Sequence, residues 1–229
     1  MHMKKFAGDG PAVSAIGQGT WYIEQAPRAA AVKALQHGLA CGLTHIDTAE
    51  MYGNGAAEEI VGEAIAGRRD EVFLVSKVLP FNASYEGTIA ACEASLRRLG
   101  TDRLDCYLLH WPGQHPLDET FDAMAQLEQD GKIGSFGVSN FDVDDMDELW
   151  SVADGPRCVA NQVYYSASER GIEFDLLPAL RARSVATMAY GPIDQGALAS
   201  DPNFAEIGAR LGASAAQVAL AWVLRQPDV

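Results

Sequence analysis

Short apolar runs rich in β-branched and aromatic residues recur along the chain at intervals of 25 to 32 residues, and this period constrains the fold more than any other feature. The runs begin at Ala15 (AIGQGTW), Leu43 (LTHID), Val72 (VFLVSKV), Leu104 (LDCYLLH), Ile133 (IGSFGVSN), Cys158 (CVANQV) and Val185 (VATMAYG). Several are nearly continuous in hydrophobicity, as parallel strands covered on both faces are. The segments between them read as amphipathic helices. In SYEGTIAACEASLRRLG, Ile89, Cys92, Leu96 and Leu99 repeat at helical spacing, with Gly100 past the end. PRAAAVKALQHGLACG places Pro27 at a tolerated first-turn position and ends at glycine. LDETFDAMAQLEQDGK and DVDDMDELWSVADG open with acids, where the helix dipole favours them. SAAQVALAWVLRQ predicts a further helix near the end of the sequence.

One strand and one crossover helix, repeated, mean a parallel sheet that is either open and doubly wound or closed as a barrel. Polar residues decide between them. An open sheet gathers its functional groups at one switch point. A barrel delivers the C-terminal end of every strand to one mouth. Six consecutive runs here end in Asp47, Lys77, His110, Ser139–Asn140, Gln162 and Tyr190. The reading is an α/β fold, a (β/α)8 TIM barrel. No Pro/Gly/Ser-rich linker interrupts the series, so residues 1–229 are expected to form one domain. The dinucleotide fingerprint GxGxxG is missing; GNGAAE at Gly53 lacks the third glycine. An eighth run is not visible before LRQPDV, and the expectation is a barrel C-terminally incomplete, without its eighth strand and last helix.

The formal charge of −14 argues against nucleic acid and anionic membrane as partners. No apolar run approaches the ~18 residues of a membrane span, and the lysines of MHMKKFAGDG are not followed by the apolar segment of a signal peptide. Cys41, Cys92, Cys106 and Cys158 are widely spaced, with neither a CxxC pair nor a Cys/His cluster. They read as small buried hydrophobes in a reducing, cytoplasmic compartment, and no metal site is expected.

Asp47, Tyr52, Lys77 and His110 converge on one mouth in this reading. Lys77 follows the apolar VFLVS, so its ammonium needs a partner, and Asp47 on the neighbouring strand supplies one. That pair alone reads as a structural ion bridge, and His110 alone as a core histidine. Together with Tyr52 they make a proton-donor site. A free tyrosine titrates near ~10, and a neighbouring ammonium is expected to lower that value. His110 is placed to orient a carbonyl oxygen. A nicotinamide is the simplest hydride source, with Ser139, Asn140 and Gln162 to hold a carboxamide and Tyr190 to stack. The competing readings are a Schiff-base aldolase or lyase using Lys77 and a non-catalytic nicotinamide-sensing subunit. His45 shares the strand parity of Asp47 and reads as a buried structural histidine, whereas His37 and His115 read as surface or loop residues.

GQGTW, HIDTAEMYGNG, VFLVSKV, YLLHWP, GVSNF, NQVYY, AYGPIDQGAL and AAQVALAWVL, in this order and spacing, resemble the aldo-keto reductases over essentially the whole chain, most of all compact bacterial members acting on small aldehydes such as methylglyoxal. The resemblance implies a barrel with a short N-terminal β-hairpin, a monomer, and reduction of small aldehydes or ketones with NADPH, NADH being the alternative. It implies Tyr52 as proton donor, tuned by Lys77 and Asp47, with His110 positioning the carbonyl. It implies Ser139, Asn140, Gln162, Tyr190, Gly191 and Thr20 at the cofactor, and Trp21 and Trp111 against the substrate. Gly191 departs from the serine of many members, which leaves backbone amides to serve the pyrophosphate. The family's residues for the adenosine 2′-phosphate belong to the eighth strand and the helix after it.

Overall fold

The computed structural model describes residues 2–227 and 229. A short antiparallel hairpin, β1 (Met3–Lys5) with β2 (Ala12–Ser14), precedes a seven-stranded parallel sheet. The sheet's strands are β3 (Gly17–Gly19), β4 (His45–Asp47), β5 (Phe73–Val78), β6 (Cys106–Leu109), β7 (Phe136–Ser139), β8 (Ala160–Tyr164) and β9 (Ala186–Tyr190). They pair in sequence order, and each falls inside one of the seven apolar runs except β8, which extends one residue past CVANQV to Tyr164. Consecutive parallel pairing through helical crossovers curls the sheet into a nearly closed (β/α)8-type barrel, with β3 and β9 at its two ends among the described residues.

The crossovers are α1 (Arg28–Ala40), α2 (Ala56–Ile65), α3 (Tyr85–Leu99), α4 (Leu117–Gln129), α5 (Val143–Ser151) and α6 (Leu176–Ala182). Two more, α7 (Pro202–Leu211) and α8 (Ala215–Leu224), follow β9. Their ends are set by local chemistry. The Ser84 side chain accepts from the Gly87 N–H at the start of α3, and Gly100 closes it with φ 63°. Reciprocal capping boxes, Asp142 with Asp145 and Ser214 with Gln217, start α5 and α8. No single helix among the described residues is long and apolar enough to cross a membrane.

Strand alternation divides the core in two. Ile46, Leu74, Val78, Tyr107, Leu109, Phe136 and Val138 point outward and join the helix residues Leu39, Ile60, Leu99, Phe121 and Met124 in the main cluster. The opposite parity points inward. Near the N-terminal ends of the strands it is apolar: Val75, Cys106, Leu108 and Ala160 pack with Phe6 and Val13 of the hairpin segment, which thereby plugs the floor. Toward the C-terminal ends the same inward parity delivers Asp47, Lys77, Ser139 and Gln162. His45 is buried as expected, its ring edge-on to Phe6 and Phe73 and its Nε2 without a partner. The cysteine reading needs one correction. Cys92, Cys106 and Cys158 are buried, but Cys41 is exposed, because it caps the solvent-facing end of α1 beside His37.

Candidate active site

A cavity of about 1090 Å³ opens between the strand ends and runs along the interior. Its walls include Thr20, Trp21, Asp47, Tyr52, His110, Trp111, Ser139, Asn140, Gln162, Tyr190 and Gly191. Of the candidate catalytic, cofactor and substrate residues read from the sequence, only Lys77 lies outside that lining. It is buried completely behind the wall, where its ammonium reaches forward.

Three donations fix the Lys77 ammonium: to Asp47 Oδ1 at 2.6 Å, to the Thr48 carbonyl at 2.9 Å and to the Tyr52 hydroxyl at 3.3 Å. Burial alone would drive this lysine neutral, but the Asp47 carboxylate and the Tyr52 oxygen more than compensate and raise it above the ordinary lysine value. It is therefore an ammonium at neutral pH. The carbonyl of Thr48 is a functional group that side-chain reasoning missed; only its position directly after Asp47 hinted at it. Asp47 is held in turn by the Gln162 amide, which donates to Oδ2 at 2.7 Å, while Thr20 donates its hydroxyl to the Asp47 carbonyl at 3.0 Å.

Tyr52 stands at the start of a tight turn. Gly53 (φ 55°), Asn54 (φ 53°) and Gly55 (φ 93°) are all left-handed, which explains why GNG follows the tyrosine. The expected lowering of its pKa is overturned. Burial outweighs the nearby ammonium, which Asp47 partly neutralises, and the phenol is raised above its ordinary value. Tyr52 is thus a fully protonated hydroxyl across the physiological range. Its ring meets His110 edge-on at 5.7 Å between centroids. Burial, then the Lys77 charge, push the His110 imidazole down to about 3, so it is neutral. Its Nδ1 is buried without a partner, and the residue borders the cavity.

The opposite wall is tied to itself more than the sequence suggested. Ser139 donates to the Gln162 carbonyl at 2.8 Å, and the Asn140 amide donates to the His110 carbonyl at 3.0 Å and to Ser139 Oγ at 3.1 Å. Asn140 adopts φ 60°, and its Oδ1 accepts from the Tyr190 hydroxyl at 2.8 Å. Trp21 is half exposed and stacks on Tyr22 at 4.4 Å, and Trp111 leans on His110 at 4.8 Å; both border the opening. Among the described residues no cluster of His, Cys, Asp and Glu could hold a metal ion.

Beyond the mouth, Glu58 of α2 is fully buried. It accepts from Ser76, the neighbour of Lys77, at 2.6 Å and from Arg98 of α3 at 2.6 Å. The Arg98 side chain occupies the space where a Cβ on Gly55 would lie. The turn carrying Tyr52 and the strand carrying Lys77 are so clasped from outside.

A barrel mouth with a buried lysine–aspartate pair aimed at a tyrosine, and a neutral histidine beside it, defines an oxidoreductase site of the aldo-keto reductase type. The aldo/keto reductase family model matches residues 15–229, and the chain belongs to that family. It is 49% identical over 234 residues to the methylglyoxal reductase YeaE of Escherichia coli strain K12, covering 99% of this chain and 82% of that protein. Two crystal structures of Klebsiella pneumoniae aldo-keto reductases, each 49% identical, superpose with TM-scores of 0.95. One is a complex with NADP and acetate, with 99% of this chain and 82% of that one covered. The other is a complex with NADPH, with 100% and 84% covered.

Proposed function

We propose that this chain reduces small aldehydes and ketones to alcohols with NADPH, Tyr52 supplying the proton to the carbonyl oxygen. The observation that carries the reading is the Lys77 ammonium, which reaches both the Asp47 carboxylate and the Tyr52 hydroxyl at the cavity wall. A bound reduced nicotinamide supplies hydride to the carbonyl carbon.

The chain's own residues do the rest. His110, neutral and facing the cavity, holds the substrate oxygen near Tyr52. Tyr52 keeps its proton until negative charge collects on that oxygen. The phenolate it leaves behind lies 3.3 Å from an ammonium, in surroundings where such an interaction is far stronger than in water. Asp47 keeps Lys77 charged and aimed. The aldolase alternative finds no support, since a Schiff-base lysine must be neutral and Lys77 is held as a cation.

The wall residues suit a nicotinamide. Tyr190 borders the cavity and offers a ring face, Asn140 Oδ1 retains a second acceptor position, and Gln162 commits one N–H of its amide to Asp47, leaving its other N–H and its carbonyl oxygen. Ser139 completes that wall, Gly191 brings backbone close to the cavity, and Thr20 acts by seating Asp47. Trp21 and Trp111 border the substrate side. The Klebsiella complexes support NADP(H), and the YeaE name supports methylglyoxal as the first substrate to try. The test is NADPH oxidation with methylglyoxal by parent and Tyr52→Phe. The variant should lose at least about a hundredfold in kcat while still quenching with NADPH. Equal turnover of the two would remove Tyr52 from the proton-donor role.

A further inference from the structure

Tyr164 is unassigned by anything above, and it sits where the cofactor wall is made. In the parallel register of β8 and β9, Tyr164 lies directly opposite Tyr190, the last residue of each strand. Side chains at such paired positions leave the sheet on the same face. Their ring planes are nearly parallel, 8° apart in tilt, and the rings stack with centroids 5.4 Å apart. Tyr190 borders the cavity and Tyr164 does not, so Tyr164 backs the ring whose other face looks into the site.

Two further observations bear on the same ring. Its hydroxyl donates to Asp194 Oδ1, and the same carboxylate accepts from Ser168 Oγ at 3.0 Å through Oδ2. The hydrogen bond to Asp194 pushes the Tyr164 phenol up to about 12, so it stays a neutral donor. Asp194 belongs to the loop after β9 and has φ 51°, followed by Gln195 at 49° and Gly196 at 103°. The second observation concerns Gly191. It has φ 61°, and a Cβ there would stand 2.5 Å from Tyr164 Cε2, well inside van der Waals contact. A side chain at 191 and the Tyr164 ring cannot both hold these places.

We infer that Tyr164 is a positioning residue for the dinucleotide: braced by Asp194 and admitted by Gly191, it fixes the plane of the Tyr190 ring against which the nicotinamide packs. The inference rests on the reductase reading and adds to it. In this chain glycine at 191 exchanges a possible side-chain contact with the cofactor for a stiffened stacking wall. The Tyr190 ring is then pinned at two places, its face by Tyr164 and its hydroxyl by Asn140. Asp194 also has its charge directed at Tyr164 and Ser168, so the loop carries an acid without turning it on an anionic ligand.

The test is NADPH affinity, measured by quenching of intrinsic fluorescence on the full chain, together with kcat at saturating cofactor. Tyr164→Leu removes the ring and should raise the NADPH Kd about five- to tenfold, with kcat at saturation changed less than about threefold. Tyr164→Phe keeps the ring and loses only the bond to Asp194; it should recover most of the affinity. Gly191→Ser should weaken NADPH binding, not strengthen it. Near-UV circular dichroism should show altered tyrosine signals in Tyr164→Leu, while its far-UV spectrum matches the parent. Parental NADPH affinity in Tyr164→Leu, equal losses in the Leu and Phe variants, or tighter binding by Gly191→Ser would overturn the inference while the reductase reading stands. A parent that does not bind NADPH at all overturns both.

Discussion

Lys77→Met is the perturbation that most directly probes the site's electrostatics. The lysine side chain has no solvent exposure and that of Asp47 only 15%. Removing the ammonium leaves the Asp47 carboxylate with the Gln162 amide as its remaining side-chain donor and strands the Thr48 carbonyl. Breaking one partner out of a buried pair costs about 3–5 kcal/mol, whereas replacing both by neutral groups of similar size is often nearly neutral. Methionine fills the stem's volume, and residual exposure of Asp47 tempers the loss, so the single variant should lose about 3 kcal/mol. Asp47→Asn leaves a fully buried ammonium without its counter-charge and should lose a similar amount. The double variant Asp47→Asn/Lys77→Met should therefore be more stable than the sum of the two losses by at least about 2 kcal/mol. Urea unfolding followed by circular dichroism, with free energies extrapolated to water, closes the cycle. Additivity within about 0.5 kcal/mol would refute it, for it would mean that the two charges do not depend on each other in the folded state.

Other expectations follow from the same groups. Because Tyr52 is raised above its ordinary value near ~10 and His110 is neutral, kcat/KM should be flat from about pH 5 to about 9 and fall only as the phenol loses its proton; a basic limb centred near about pH 8 would contradict this. His45 and His110 both refuse protons that the unfolded chain accepts, so thermal stability should fall as the pH drops below about 6.5, and His110→Asn should make that fall shallower; an unchanged pH dependence in the variant would exclude His110 as a source. Thiol alkylation of the native protein at about pH 8 should mark Cys41 alone. Cys92, Cys106 and Cys158 are buried with thiols pushed up to about 12, and rapid labelling of any of them in the native state would contradict the packing.

Much of the barrel was legible because its period is enforced by physics: a strand covered on both faces must be apolar almost throughout, and a crossover needs a helix. Each of the seven apolar runs coincides with a strand, β8 alone extending one residue past its run, to Tyr164. The tetrad was legible for a related reason, since a lysine inside VFLVSKV demands a partner and HIDT offers one at the right strand end. The acidity of Tyr52 was not legible, because its direction depends on how burial weighs against an ammonium already shared with Asp47, and burial is invisible in a linear chain. The bracing of Tyr190 was half legible. NQVYY displays Tyr164, but the facing of its ring with Tyr190 depends on the β8–β9 register, and the reason for glycine at 191 appears only when the two strands lie side by side. Cys41 was misread because composition carries no information about which side of a helix end faces water. The clasp through Glu58 and Arg98 escaped for want of any motif; a single glutamate within an apolar helix face was its only trace.

The three left-handed residues after Tyr52 leave the phenol almost no freedom to follow a ligand, since few sequences can trace such a path and the Arg98 side chain wedges it from behind. In the proposed reaction, an acid mounted so stiffly would set a fixed point to which each reactant must bring its oxygen. On that proposal, acceptance of differently shaped molecules would be negotiated at the rim, where Trp21 and Tyr22 stand half exposed. Evolution, or an engineer, can alter the clientele of such a catalyst by rebuilding its doorway while leaving its anvil alone.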